Sequence, residues 1–298
     1  MAEGVLEWDG GVTWYRVEGS LGRRGEGKAP LVILHGGPGA AHDYVEPIAG
    51  LAGSADRPCV LYDQLGCGRS GHLPDAPAEF WTVELFVREL ASLLDHLQIA
   101  GGYHLLGQSW GGMLAMEHAL MRPAGLRSLV VADSPASMAL WVQEADRLRR
   151  LLPRDVQNAL SRHEDAGTTD SGEYERAMTV FYERHVCRIV PFPDPLTRTF
   201  AQLAEDPTVY HTMNGPSEFH VIGSLRDWDI KPRLGGVRVP VLVISGEYDE
   251  ATPAVVRPLV EALPNARWEL IPDASHTPHL EKPEQFLHLV ETFLSQHD

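Results

Sequence analysis

One serine lies within a short pattern that is typical of enzyme nucleophiles. Ser109 is the centre of Gly107-Gln108-Ser109-Trp110-Gly111, which fits G-x-S-x-G. The apolar run Tyr103–Leu106 before it predicts a strand, and residues from Ser109 to about Met121 have helical periodicity. A sharp turn between a strand and a helix needs small flanking residues and exposes the serine hydroxyl above the sheet. We therefore predict that Ser109 is the nucleophile of a hydrolase that works through an acyl-enzyme.

The proton of that hydroxyl requires a base, and the base requires a carboxylate that orients it. His276 comes directly after the predicted strand Trp268–Ile271, whereas its nearest competitor, His279, lies further into the same loop. Several carboxylates follow late strands, namely Glu247, Asp249, Glu250 and Asp273. Position favours Asp249, which follows the predicted strand Val239–Ile244. The predicted triad is therefore Ser109, Asp249 and His276.

A glycine-rich loop, HGGPG, follows the predicted strand Leu31–Leu34. Acyl transfer develops negative charge on an oxygen, and backbone N–H groups can stabilise it. A residue without a side chain lets the backbone come close to this oxygen. We therefore predict donors from Gly37, with Gly36 as the alternative, and from Trp110 after the nucleophile. The loop lacks the sequence patterns of a P-loop and of a dinucleotide site, so no cofactor is expected.

Strands and helices alternate along the chain and must position these candidate residues. Apolar β-branched runs predict strands at Val12–Val17, Leu31–Leu34, Cys59–Tyr62, Tyr103–Leu106, Leu126–Ala132, Val239–Ile244 and Trp268–Ile271. Apolar residues at helical spacing predict helices at Thr82–Leu97, Ser109–Met121, Pro253–Leu263 and Pro283–Leu294. This alternation predicts an α/β fold, with a mostly parallel sheet that helices cover on both faces.

The middle of the chain differs from both flanks. Helical periodicity is clearest in Trp141–Leu152, Val156–His163 and Glu173–Cys187, and prolines 191, 193 and 195 indicate loops. A connection of about 100 residues is far longer than the usual ~4–6. We predict that residues 137–236 form a helical cap domain inserted into a catalytic domain of residues 1–136 and 237–298. Gly19–Gly27 predicts a flexible hairpin tip.

Composition bounds the partners and the location. The 298 residues are 44% hydrophobic and 22% charged, which is ordinary for a globular protein. The formal net charge of −16 argues against nucleic acids and anionic membranes, which require a basic surface. Three scattered cysteines indicate no disulfide framework, and no Cys/His cluster has zinc-ligand spacing. No signal-peptide pattern and no apolar run of ~18 residues are present. A cytoplasmic location and no metal are predicted.

Five motifs occur in order along the chain, namely HGGPG at 35–39, YDQLGCGRS at 62–70, GQSWGG at 107–112, GEYDE at 246–250 and SHTPHLEKPE at 275–284. Together they resemble the proline iminopeptidase family of α/β-hydrolases. The segment MNGPSEFHVIGSLRDWD at 213–229 also resembles the cap of tricorn-interacting aminopeptidases and prolinamide hydrolases. The resemblance implies an α/β-hydrolase fold with an inserted cap. It also implies a serine aminopeptidase that releases an N-terminal amino acid from a peptide or amide.

The resemblance implies roles for residues outside the triad as well. Glu218, in the cap, and Glu250, beside the catalytic acid, would hold the substrate's ammonium group through charge-assisted hydrogen bonds. Relatives in antibiotic pathways remove an aminoacyl group from a polyketide amine, which suggests an apolar channel lined by Trp141 and Phe181. These aromatic residues could equally pack the core of the cap. The expected partner is a short peptide or small molecule with a free amino terminus.

Three other functions remain open at this point. An amidase that acts on amino-acid amides such as prolinamide differs only in its leaving group, so the triad cannot distinguish it. An esterase or lactonase of the same fold needs no ammonium anchor. A non-catalytic receptor with this fold usually lacks a triad residue or the glycine loop, and both are present here.

Overall fold

A computed structural model describes residues 1–22 and 27–298, which contain one sheet of eight strands. The strands are β1 (Ala2–Trp8), β2 (Gly11–Glu18), β3 (Leu31–Leu34), β4 (Cys59–Tyr62), β5 (Tyr103–Gln108), β6 (Leu126–Ala132), β7 (Val241–Gly246) and β8 (Ala266–Ile271). Their order across the sheet is β1-β2-β4-β3-β5-β6-β7-β8. β2 pairs antiparallel with β1 and β4, and the other neighbours pair in parallel. The predicted α/β class is confirmed.

Burial explains which strands the sequence predicts and which it misses. β3, β4, β5 and β7 are buried at every position, because helices cover both faces of this part of the sheet. Such strands have continuous apolar runs. β1 lies at the edge of the sheet, and only Leu6 among its residues is buried. β1 therefore needs few apolar residues, and no apolar run in the sequence predicted it.

The helices agree with the predicted ones to within a few residues at most positions. The longer helices are Val83–His96, Trp110–Leu120, Met138–Arg149, Arg154–Ala166, Gly172–His185, Asp194–Glu205, Pro253–Ala262 and Pro283–Ser295. Shorter α-helices are Leu51–Ser54, Thr208–Met213 and Pro278–Glu281, and 3-10 helices are His42–Gly50, Ala78–Phe80, Ser224–Asp227 and Lys231–Gly236. Long helices follow β5, β7 and β8, as the alternation predicted.

Helices also fill the connection between β6 and β7. The helix Asp194–Glu205 lies where three prolines predicted loops. Pro193 precedes this helix and Pro195 lies in its first turn, where a missing N–H costs no helical hydrogen bond. Three of these helices share a hydrophobic cluster that includes Leu148, Leu160 and Phe181. The division into a cap of residues 137–236 and a catalytic domain stays a prediction.

The predicted hairpin tip Gly19–Gly27 lies between β2 and β3 along the chain. Residues 23–26, at the centre of the predicted hairpin tip Gly19–Gly27, lie outside the described residues. The strands on either side, β2 and β3, are separated by β4 in the sheet and so do not form a hairpin.

Within residues 1–22 and 27–298, no helix has the length and apolar character that a membrane crossing needs.

Candidate active site

Ser109 lies on the turn between β5 and the helix Trp110–Leu120. Its φ of 56° and ψ of −122° are strained for a residue with a side chain. The turn is tight: a Cβ atom on Gly107 would overlap the carbonyl group of Gly111, and one on Gly111 would overlap the carbonyl oxygen of Leu34. Both flanking glycines are therefore required by backbone packing. The turn holds Ser109 at the carboxyl edge of the parallel sheet.

His276 and Asp249 come from the loops after β8 and β7 and are in contact. His276 Nδ1 lies 2.7 Å from Oδ1 of Asp249, and that oxygen also accepts the N–H of Ala251 at 2.8 Å. Both side chains are buried. Burial disfavours the imidazolium, but the charge and hydrogen bond of Asp249, together with the charges of Glu218 and Glu281, outweigh this effect, and the pKa of His276 is raised above its usual value. Asp249 is thus placed to orient the ring.

Two cavities share part of their lining at Ser109. The first encloses about 440 Å³, part of it open to solvent, and its wall includes Ser109 and His276 together with Ala40, Val186, Leu196, Phe200 and Leu203. The second encloses about 260 Å³ and has an apolar wall of Trp110, Met113, Pro135, Met138, Trp141 and Leu225. Gly37, Ser109 and Glu218 line both cavities. A substrate carbonyl at Ser109 would therefore have space on two sides.

The two predicted oxyanion donors, Gly37 on the loop after β3 and Trp110 after the nucleophile, line the same cavity. Gly37 has a φ of +106°, and a Cβ atom there would lie 2.6 Å from the backbone nitrogen of Ala40. Only glycine fits this position without strain. Trp110 is the first residue of its helix, so the helical pattern provides its N–H with no partner. Gly37 and Trp110 line the second cavity together with Ser109.

A buried tyrosine connects the loops that carry these residues. The hydroxyl of Tyr44 accepts the N–H of Gly36 at 2.7 Å and donates to the Oε1 atom of Gln108. The Nε2 atom of Gln108 donates in turn to the carbonyl oxygen of His276 at 2.8 Å. The sequence reasoning missed both Tyr44 and Gln108. Gln108 occupies a variable position of G-x-S-x-G, so the pattern gave no signal for it.

Two glutamates lie at this site: Glu218 is half-buried and lines both cavities, and Glu250 is buried beside His276. Glu218 Oε1 accepts the hydroxyl of Tyr210 at 2.8 Å, and Glu250 Oε1 lies 3.9 Å from Nε2 of His276. Neither carboxyl oxygen of Glu250 has a hydrogen-bond partner among the described residues. Burial raises the pKa of both groups, and the charges of Glu218 and Asp249 raise that of Glu250 further. Among the described residues that line the two cavities there is no lysine or arginine to balance these carboxyl groups.

The two predicted channel residues have different surroundings. Trp141 lines the second cavity, its ring lies 5.7 Å from that of His276, and its indole N–H donates to the carbonyl oxygen of Glu218 at 2.7 Å. Phe181 is fully buried against the rings of Phe219 and His185. It lines neither cavity, so the channel prediction for Phe181 is corrected: it packs the interior of the helical segment. Helical periodicity in the sequence cannot separate these two cases.

Metal-ligating side chains do not gather at this site or elsewhere in the part of the chain that the structure describes. No group of three or more His, Cys, Asp and Glu residues has an arrangement that could hold an ion. The side chains at the site provide instead a hydroxyl, an imidazole and carboxyl groups. These are the groups of nucleophilic acyl transfer.

Similarity to known proteins shows the family to which the chain belongs. The family model for the alpha/beta hydrolase fold matches residues 29–283. A proline iminopeptidase of Lactobacillus crispatus (strain ST1) is 36% identical over 99% of this chain and 99% of its own length. The chain belongs to the proline iminopeptidase family. The α/β-hydrolase fold and the family resemblance predicted from the sequence are thus confirmed.

Solved structures of two similar proteins cover nearly the whole chain. The crystal structure of a proline iminopeptidase from Mycobacterium smegmatis has a TM-score of 0.91 and 50% identity, over 99% of this chain and 98% of that one. The crystal structure of VinJ has a TM-score of 0.97 and 53% identity, over 100% of this chain and 99% of that one. As a member of the proline iminopeptidase family, the protein is a hydrolase of the aminopeptidase type, and its substrate is a peptide or another small molecule.

Proposed function

We propose that this enzyme is a serine aminopeptidase that releases one amino acid from the free amino terminus of its substrate. The observation that supports this proposal is a pair of carboxyl groups, the half-buried Glu218 and the buried Glu250, beside a serine and a histidine that share one cavity. An esterase or lactonase has no use for such a pair. The proposal makes Ser109 the nucleophile.

The mechanism follows from the positions of the groups. Ser109 attacks the first carbonyl carbon of the substrate while Nε2 of His276 takes the hydroxyl proton. Asp249 accepts the Nδ1–H bond and stabilises the imidazolium that forms. The N–H groups of Gly37 and Trp110 donate to the oxyanion. His276 then protonates the leaving amine, and water releases the amino acid from the acyl-enzyme.

Recognition of the free amine is assigned to Glu218 and Glu250. Burial disfavours a negative charge on either group, and the charge of Glu218 further disfavours one on Glu250, as the raised pKa values of both groups indicate. An ammonium group offers positive charge and N–H donors, including donors for the unpartnered oxygens of Glu250. A blocked amine offers no charge and would leave these carboxyl groups unpaired. The enzyme should therefore require a free α-amine.

The two cavities suggest where each part of the substrate lies. The leaving amine must lie near its proton donor, His276, and so occupies the first cavity. The side chain of the released amino acid then lies beside Trp110 in the second cavity, which is smaller and apolar. Such a cavity suits a small apolar residue such as alanine or proline. The apolar wall of the first cavity suits an apolar leaving group, such as the amine of a polyketide-type natural product.

The segment of residues 137–236 supplies Trp141 and Glu218 to these cavities, and we propose that it acts as a cap over the catalytic domain. An amidase that acts on small amino-acid amides is the second candidate. It would use the same triad and amine site, but with a leaving group that fills little of the first cavity. A cytoplasmic location stays a prediction from the sequence.

Hydrolysis of chromogenic aminoacyl amides tests the proposal. Pro, Ala, Leu and Phe derivatives would each be compared with their N-acetylated counterparts, with Ser109→Ala as the inactive control. We expect cleavage of the free-amine series alone, with Ala or Pro ahead of Phe. Equal cleavage of both series would contradict the amine site, and activity of Ser109→Ala would contradict the mechanism. Cleavage of amides without cleavage of dipeptides would favour the amidase.

A further inference from the structure

A second aspartate lies against the proposed catalytic acid. Asp133 directly follows β6, and Asp249 lies in the loop after the neighbouring strand β7. Asp133 has a φ of +53° and is fully buried. Its own N–H donates to the carbonyl oxygen of Ile244 at 2.8 Å, and its Oδ1 atom accepts the N–H of Gly246 at 3.2 Å. These bonds fix Asp133 to the end of β7, three residues before Asp249.

The hydrogen bonds of the two carboxyl groups leave one oxygen on each without a donor. Oδ1 of Asp249 accepts bonds from His276 and Ala251, and Oδ1 of Asp133 accepts its bond from Gly246. Oδ2 of Asp249 and Oδ2 of Asp133 are both buried, and neither has a donor among the described residues. The two residues are nevertheless bonded to the same glycine, because the N–H of Asp249 donates to the carbonyl oxygen of Gly246 at 3.4 Å and the N–H of Gly246 donates to Asp133, so the two carboxyl groups are neighbours that interact. Two ionised carboxylates in this position would repel each other and leave two buried acceptors unsatisfied.

One proton removes both problems. We propose that Asp133 is a neutral carboxylic acid whose hydroxyl donates a hydrogen bond to Asp249, and that it is a positioning residue for the triad. This inference rests on the proposed catalytic role of Asp249. Asp249 would then hold three hydrogen bonds, from His276, Ala251 and Asp133, which fix the plane of its carboxylate opposite the imidazole.

The surroundings of Asp133 agree with a neutral group. Burial raises the pKa of Asp133 well above its usual value, and the negative charges of Asp249 and then Glu281 raise it further. The N–H of Gly246 opposes this effect only in part. A proton on Asp133 also leaves Asp249 as the one charged member of the aspartate pair. The pKa of His276 is then set by burial together with the charges of Asp249, Glu218 and Glu281.

Asp133→Asn and Asp133→Leu separate a neutral donor from an ionised group. Asparagine has nearly the same shape, keeps an acceptor for Gly246, supplies an N–H donor to Asp249 and is neutral at every pH. Leucine is similar in volume but can make neither bond. The readout is the rate at which a fluorophosphonate labels Ser109 between pH 5 and pH 10, with Ser109→Ala as the unlabelled control. This rate reports on Ser109, His276 and Asp249 whichever substrate the enzyme uses.

We expect Asp133→Asn to label within about threefold of the unmodified enzyme, with the same pH midpoint. Asp133→Leu should label about 10- to 100-fold more slowly. Its midpoint should move to higher pH, because the negative charge of Asp249 is no longer partly offset by a hydrogen bond and raises the pKa of His276 further. If Asp133 is ionised, Asp133→Asn removes a negative charge near His276, and the midpoint moves to lower pH. That shift, more than tenfold slower labelling of Asp133→Asn, or unchanged labelling of folded Asp133→Leu would overturn the proposal. If Asp133→Leu does not fold, the pH midpoint of Asp133→Asn decides alone.

Failure of the aminopeptidase proposal would look different. Acetylated and free-amine substrates would then react equally, while labelling of Ser109 and its dependence on Asp133 would persist. Labelling that survives Ser109→Ala would contradict the triad itself.

Discussion

Replacement of Glu218 by glutamine removes one charge from the proposed amine site and almost nothing else. The side-chain carbonyl of glutamine can still accept the hydroxyl of Tyr210, which Glu218 accepts at 2.8 Å, so no buried donor is orphaned. The indole of Trp141 bonds the backbone of residue 218 and is unaffected. What is lost is a charge-assisted hydrogen bond to the substrate's ammonium group.

The size of the effect follows from the strength of such a bond. Hydrogen bonds to charged groups contribute about 1.5–3 kcal/mol. We therefore expect kcat/KM for a free-amine aminoacyl amide to fall about 10- to 150-fold, mainly through KM. Glu218 also helps to raise the pKa of His276, so the acid limb of the profile should move to lower pH in the variant. The two enzymes must be compared on the plateau above this limb.

Two controls make the result specific. Glu79→Gln changes an exposed glutamate that lines neither cavity, and it should leave all kinetic constants unchanged. Labelling of Ser109 by a fluorophosphonate, which has no ammonium group, should change less than threefold in Glu218→Gln on the plateau. If kcat/KM falls by less than threefold, Glu218 does not bind the ammonium group. An equal drop in labelling would show that Glu218 supports the triad instead.

Three further predictions concern the catalytic acid, the nucleophile turn and the carboxyl-terminal residue. Asp249→Asn should lower kcat by about 10⁴-fold. Because Asp249 raises the pKa of His276 against the effect of burial, the acid limb of the remaining activity should move to lower pH; an unmoved limb in a pH–rate profile would contradict this pairing. Gly111→Ala forces a Cβ onto the carbonyl oxygen of Leu34 and should cost about 1–3 kcal/mol in urea unfolding, with slower labelling. Gly53→Ala, where a Cβ meets nothing within 4 Å, is its control, and equal stability of the two variants would refute the packing argument. Burial favours the neutral form of Asp298, but the hydrogen bonds and charge of Arg57, together with bonds from Ala29 and His104, outweigh it and lower the pKa of Asp298 from 3.8 to about 2. Because Asp298 is exposed and solvent screens these interactions, Asp298→Asn should lose about 0.5–1 kcal/mol of unfolding free energy at pH 7, and the difference should shrink as pH falls through 4 towards 2; the control Asp75→Asn should lose nothing.

The sequence was most informative where local rules decide the structure. Buried parallel strands need continuous apolar runs, so β3, β5 and β7 could be predicted, and the loops after them necessarily meet at one edge of the sheet. This is why the positions of Ser109 and His276 followed from strand order. The glycines at 107 and 111 had to be small because backbone lies against them.

Contacts between distant segments could not be predicted in the same way. Glu218 was assigned through family resemblance alone, and its partners Tyr210 and Trp141 depend on how the helices pack. Phe181 was assigned to a channel, although it packs among aromatic rings. A period of 3.6 residues predicts which face of a helix is buried, but it does not distinguish a face that packs against other helices from one that lines a cavity. Asp133 did have a signal: it directly follows an apolar strand run, as acidic residues at such an edge do when they carry function.

The hydroxyl of Tyr44 has a consequence for how the site fluctuates. It joins the loop after β3 to Gln108 at the end of β5, and Gln108 joins the loop after β8. None of these buried groups can leave its partner without exposing an unsatisfied polar atom. The three loops should therefore open as one cooperative unit, and their amide protons should exchange with solvent at a common rate. A molecule that binds to one loop would slow the opening of the other two without touching them.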